Sequence, residues 1–170
     1  MNRNLALLFG AALLLGAVVA NADDDDDDEH ERPRGGPRVA RTTPEWKAYD
    51  AECGSCHLAF PPNLLPAASW KSLMGGLNDH FGQNATVDAA TKQTLEAWLV
   101  KNAGGPLPSP TLRITRTRWW LREHDEVGPS VYARKAITSP ANCGACHTRA
   151  NEGAFGEHEV RIPRDAPAPR

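Results

Sequence analysis

The apolar positions of this chain come in short blocks punctuated by proline and glycine. Leu5 to Ala20 is an almost unbroken apolar stretch with no helical or alternating period. Thr43-Pro44 then offers a helix start, with Thr as N-cap and Pro at the first helical position. That helix runs through Trp46 and Tyr49 to Cys53, and Phe60-Pro61-Pro62-Asn63 breaks the chain after it. Trp70, Leu73 and Leu77 share one face at helical spacing and predict a second helix over Pro66 to Asn78. Asp88 caps a third, which carries an apolar stripe of Leu95, Trp98 and Leu99 to about Asn102. Ala103-Gly104-Gly105-Pro106 ends it.

The second half is less periodic. Pro106 to Pro110 reads as a linker. Leu112 and Ile114 alternate with Arg113 and Thr115, the pattern of one short strand. Thr117 to His124 reads as a helix carrying Trp119, Trp120 and Leu121. Ser139-Pro140 repeats the Ser/Thr-Pro helix start. The tail from Arg161, rich in Pro and Arg, is expected to lie over the surface. Fourteen prolines limit regular structure throughout.

The apolar stretch at the start changes the picture of where the protein works. Arg3, the short run from Leu5 to Ala20 and the Ala20-Asn21-Ala22 cleavage site make residues 1–22 a secretory signal peptide. An uncleaved anchor is the competing reading, but the stretch is short and no stop-transfer pattern follows. In a bacterium the destination is the periplasm. Residues 23–38 begin with six consecutive aspartates and continue through Pro33, Gly35, Gly36 and Pro37, an acidic disordered tail and linker. The tail is also a candidate arm for steering a basic partner. From Val39 onward the chain holds 15 Lys/Arg and 13 Asp/Glu, so the folded body is near neutral and has no basic stripe for nucleic acid.

The chemistry lies in two identical spacings, Cys53-Gly54-Ser55-Cys56-His57 and Cys143-Gly144-Ala145-Cys146-His147, which use every cysteine present. Cys-x-x-Cys-His is a covalent haem attachment string: the thiols bond the porphyrin vinyls, and the histidine becomes the proximal iron ligand. Zinc ribbons place their cysteine pairs about 15–20 residues apart, whereas 86 residues separate Cys56 from Cys143. Two disulfides also suit an exported protein. Neither alternative explains a histidine directly after both pairs. Two haems would also serve as large apolar core elements for a folding body of about 130 residues, which would otherwise struggle to bury enough surface. The apoprotein is accordingly expected to fold poorly.

Whether each iron keeps an open face decides between a carrier and an enzyme. Beyond His57 and His147 the histidines are His30, His80, His124 and His158, and Met74 is the one methionine after the initiator. His80 lies 23 residues after His57, and His124 lies 23 residues before His147. Both are flanked by apolar residues and are the expected distal ligands. Met74 is the rival at the first haem and His158 at the second, while His30 sits in the charged tail as a bystander. Arg116, Arg118 and Arg122 are candidate partners of the haem propionates, or simply exposed arginines. A dihaem peroxidase or nitrite-reducing enzyme would need one open iron and a distal acid or base, for which Glu123 is the obvious residue. A gas sensor would need an output domain.

Cys53-Gly-Ser-Cys-His-Leu-Ala-Phe-Pro-Pro, Leu65-Pro-Ala-Ala-Ser-Trp, Asp79-His80-Phe81-Gly82, Trp119 to His124, and Ser139-Pro-Ala-Asn-Cys-Gly-Ala-Cys-His-Thr-Arg resemble the small periplasmic dihaem cytochromes c. The resemblance covers most of the chain after the acidic tail. It implies a mainly α protein of two small haem lobes, residues 39–105 like a class I cytochrome c and residues 106–170 irregular with short helices. It implies two low-potential haem c groups, ligated by His57 with His80 and by His147 with His124. It also implies electron transfer rather than catalysis, with a membrane cytochrome b as donor and a small soluble oxygen-binding haem protein as acceptor. The aspartate run departs from the pattern and bears on the partner surface.

Overall fold

In the computed structural model, residues 39–109 and 111–165 are described. The signal peptide and acidic tail expected over 1–38 lie outside them. The described residues are mainly helical and contain no strand, only isolated bridges at Pro66–Gly104, His80–Gln83 and His147–Val160. None of their helices is long and apolar enough to cross a membrane.

Helix α1 spans Pro44–Cys53, and the Thr43 side chain accepts the Trp46 N–H at 3.2 Å. Helix α2 spans Ala67–Gly75 and is shorter than its apolar pattern predicts. Two consecutive glycines end it, since glycine holds helix poorly. The Gly76 N–H is shared between the Ser72 and Leu73 carbonyls, and the chain continues as a 3₁₀ turn over Leu77–Asp79. Helix α3, Ala89–Lys101, begins where expected: Asp88 Oδ1 accepts the N–H groups of Ala90 and Thr91, both at 3.0 Å. Helix α4 is Arg118–Glu123, capped by Thr117, and α5 is a single turn at Pro129–Tyr132 that the sequence pattern did not reveal.

Two expectations fail for local reasons. The alternation at Leu112–Thr115 does not make a strand. Ile114–Arg116 is a 3₁₀ turn, locked because the backbone N–H and hydroxyl of Thr117 both donate to the Ile114 carbonyl. Ser139-Pro140 does not start an α-helix. Thr138 has a left-handed φ of 66°, Ser139 Oγ accepts the Ala141 N–H at 3.1 Å, and only the 3₁₀ turn Cys143–Ala145 follows. The serine hydroxyl is spent on a local turn instead of a helix cap.

The main core gathers Trp46, Tyr49, Ala59, Leu65, Trp70, Met74, Leu95 and Leu99 from α1, α2, α3 and the loop between α1 and α2. Trp46, Tyr49 and Trp98 form an aromatic cluster with ring centroids 5.3–6.1 Å apart. The Trp70 indole N–H donates to the Pro62 carbonyl at 2.6 Å, fixing the proline-broken loop against α2. Tyr49 donates its hydroxyl to the Phe60 carbonyl at 3.0 Å from the other side. Each fully buried leucine here, such as Leu65 or Leu99, contributes about 1.5–3 kcal/mol by leaving water. In the second half Trp120, Ile137 and Ala150 are the buried apolar residues.

Candidate functional site

Both Cys-x-x-Cys-His strings sit where helical backbone gives way to turns. Cys53 is the last residue of α1, and the next N–H, from Gly54, still reaches the Asp50 carbonyl at 2.8 Å. Gly54 is required there: a Cβ would run into the backbone oxygen of Asp50. In the second string the His147 N–H donates to the Cys143 carbonyl at 2.8 Å, folding the loop into one compact turn. The Arg161 N–H bonds the Cys146 carbonyl at 2.8 Å, and Arg134 holds the Pro163 carbonyl at 2.8 Å. The start of the proline-rich tail therefore straps the second attachment loop.

No disulfide joins any of the four cysteines. Burial above all, and then Glu52 and Asp50, push the Cys53 thiol up to about 11. Burial also raises Cys143 and Cys146. Burial does not activate these thiols as nucleophiles. Nor does any group of three or more His, Cys, Asp or Glu among the described residues converge on a metal position.

The histidines pair across space. The His57 and His80 rings have centroids 6.1 Å apart, with planes inclined by 24°. The His124 and His147 rings have centroids 6.2 Å apart, with planes inclined by 74°. An imidazole nitrogen lies about 1.1 Å from its ring centroid and a metal–imidazole bond is about 2 Å, so two rings facing across one metal stand about 6.2 Å apart. Both separations match that distance.

The protonation pattern suits the same use. His57 Nδ1 lies 2.8 Å from the Leu58 carbonyl, and His124 Nδ1 lies 2.9 Å from the Trp120 carbonyl. A carbonyl only accepts, so Nδ1 carries a proton and Nε2 is the nitrogen left available to a metal. Burial, then the facing His57, then Arg113 lower the pKa of His80. Burial and His124 lower that of His147, whose Nδ1 is buried without a hydrogen-bond partner. Neutral imidazole, the ligating form, is favoured at both.

Local structure positions these four rings. His80 opens a tight two-residue turn. Its N–H donates to the Gln83 carbonyl at 2.7 Å and its carbonyl accepts from Gln83 at 3.2 Å, with Phe81 at φ 56° and Gly82 at φ 93°. Glycine takes that conformation readily, whereas phenylalanine is strained in it. The strain sets the Phe81 ring 4.8 Å from His80 and under the Arg113 guanidinium, 4.0 Å away. His124 caps the C-terminus of α4 and stacks on Trp120 at 4.3 Å. Phe60 stacks on His57 at 5.0 Å, and Phe155 packs against His147 at 5.2 Å. Each of the four histidines thus has one aromatic neighbour. Sequence reasoning used Phe60 as part of a helix breaker and of a family motif, not as a neighbour of His57, and passed over Phe155. Their nearness in sequence to His57 and His147 was the available signal.

The rivals lie elsewhere. Met74 is buried in the core among Trp70, Leu95 and Leu99. His158 is exposed in the 3₁₀ turn Glu157–Glu159, and His30 lies outside the described residues. Arg116 and Arg118 are exposed, and Arg122 pairs with Glu123 at 3.5 Å. A shallow groove bordered by Lys71, Lys92, Glu96 and Val100 contains none of the four histidines.

Comparison with known proteins places this geometry. No curated protein matches the chain. The dihaem cytochrome c family matches residues 49–155. The X-ray structure of a dihaem cytochrome c from Shewanella baltica OS155 is 37% identical with a TM-score of 0.65, covering 72% of this chain and 97% of its own. A crystal structure from Rhodobacter sphaeroides is 43% identical with a TM-score of 0.60, covering 69% of this chain and all of its own. The matched span takes in both Cys-x-x-Cys-His strings and both facing histidine pairs, so the chain belongs to the dihaem cytochrome c family and carries two haem c groups with their irons.

Proposed function

We propose that this protein is a periplasmic electron carrier with two covalently attached haems, each iron closed by two histidines. Cys53 and Cys56 anchor one haem and Cys143 and Cys146 the other. His57 with His80, and His147 with His124, supply the axial nitrogens. The observation that carries this reading is the ring separation of 6.1 Å in one pair and 6.2 Å in the other, the spacing of two imidazoles on one six-coordinate metal. Bound haem supplies the one-electron ferric–ferrous couple. The chain's own part is to fix the ligands so that little rearranges when the charge changes. The Leu58 and Trp120 carbonyls hold two of the rings by Nδ1, and the tight turn at His80 holds a third.

Export through the signal peptide at residues 1–22 accounts for the compartment, and the two lobes divide near residues 105 and 106. A membrane cytochrome b is the proposed donor and a small soluble haem protein the proposed acceptor, as the family resemblance implies. With no iron face open, the reading excludes peroxidase or nitrite reductase activity.

Electron paramagnetic resonance of the native ferric protein tests the ligation. Two low-spin signals are expected, with the near-perpendicular pair, His124 and His147, giving the more anisotropic one. Near-perpendicular ligand planes leave two iron d orbitals almost equal in energy, whereas near-parallel planes split them. A high-spin, five-coordinate signal from either iron overturns the carrier assignment.

A further inference from the structure

Arg41 stands just before α1, outside every motif of the sequence. Its guanidinium lies over the Trp46 ring, with Cζ 4.3 Å from the centroid. On another side it meets Gly153, whose φ of 84° is left-handed and where an added Cβ would stand 3.1 Å from Arg41 Nε. Gly153 closes the turn that begins at His147: its N–H donates to the Ala150 carbonyl, and the Ala150 N–H donates to the His147 carbonyl. The glycine thus clears space for a guanidinium where the first helix meets the second attachment loop. Arg41 Nη2 is buried and has no hydrogen-bond partner. Burial lowers the pKa of Arg41 and the nearby Asp50 carboxylate partly offsets this, but no ion pair to it forms among the described residues. A buried guanidinium N–H left unpaired is costly, and its natural complement is a carboxylate.

We infer that Arg41 is the carboxylate clamp of this protein, its Nη2 donating to a propionate of one of the two haems. This rests on the two-haem reading above. It moves the propionate role from Arg116, Arg118 and Arg122 to a residue that sequence reasoning did not single out. The cation is a positioning and tuning residue. By neutralising a propionate it makes the ferric form less favourable, so it raises the midpoint potential of the haem it holds.

The test is spectroelectrochemical titration of the dihaem protein and its Arg41→Gln and Arg41→Lys variants. Arg41→Gln should lower the midpoint of one haem by the equivalent of about tenfold in its oxidised-to-reduced ratio, about 59 mV for one electron. The other haem should move far less. Arg41→Lys keeps the charge but loses the planar fork, and should fall between. Which haem shifts identifies the propionate held. Unchanged midpoints in Arg41→Gln, equal shifts of both haems, or a lysine variant indistinguishable from the glutamine variant would each overturn the clamp. Should Arg41→Gln fail to accumulate, the redox-difference infrared band of the propionates in Arg41→Lys decides: a shifted carboxylate stretch supports the clamp and an unshifted one sinks it. Failure of the ligation reading would appear instead as a high-spin signal in the unaltered protein.

Discussion

Replacing His80 by alanine should open one iron and leave the other closed. The facing rings form two separate pairs, 6.1 Å apart at His57–His80 and 6.2 Å apart at His124–His147. Removing one distal ring therefore frees one coordination position in the whole chain. The loop should survive the change, because the bonds that close it belong to the backbone: His80 N–H to Gln83 at 2.7 Å and Gln83 N–H to His80 at 3.2 Å. Alanine retains both. The expected result is a ferrous variant that binds one carbon monoxide per chain, converting half of the haem absorbance, while the wild type binds none. Titration of the reduced protein with carbon monoxide, normalised to total iron, reads the stoichiometry. Added imidazole should compete by refilling the vacated position. Wild type that takes up carbon monoxide as readily as the variant, or a variant that takes up none or two, refutes the pairing.

Further substitutions probe the frame around the sites. Gly54→Ala should impair loading of the first haem, because the new methyl meets the Asp50 carbonyl, whereas Gly144→Ala has nothing within 4 Å and should load normally; mass spectrometry of the exported protein counts the haems. Trp70→Phe strands the Pro62 carbonyl now held at 2.6 Å, costing about 1–3 kcal/mol in denaturant unfolding. The carboxyl of Asp88 is held below its usual value, first by the Thr91 hydroxyl and then by the backbone N–H of Thr91. The cap it provides to α3 is present above the unfolded carboxyl pKa and is lost as pH falls through the lower folded value. Asp88→Ala should abolish that acid-side slope in pH-dependent unfolding, and an unchanged slope would assign it to other carboxylates.

The first half was the more legible because its signals are local. Thr43 and Asp88 cap α1 and α3 as their side chains dictate; of the predicted apolar stripes Trp70, Leu95 and Leu99 are buried and Leu73, Leu77 and Trp98 partly so. The candidate distal histidines were singled out by ligand supply, and their rings lie 6.1 Å and 6.2 Å from those of His57 and His147. The second half hid more because turns decide it. Ser139-Pro140 carries a helix-start signal that the left-handed Thr138 and a serine turn override. Leu112 and Ile114 alternate, but the described residues offer no strand to pair with them, and Leu112 is exposed. Arg41, Phe60 and Phe155 gain their roles from residues distant in the fold or from ring stacking, which no period of apolar positions records.

The uneven core has a consequence for how the chain matures. Among the described residues, eight of the eleven buried apolar side chains belong to residues 46–99, and Trp120, Ile137 and Ala150 to the rest. On the proposed reading of an exported protein, a chain holding only its first porphyrin would have one end already consolidated. The other end would hang on a few turns and remain open to periplasmic proteases until its second macrocycle is fastened. Half-loaded molecules would therefore be clipped after about residue 105, and the surviving fragment would be the one with His57 and His80.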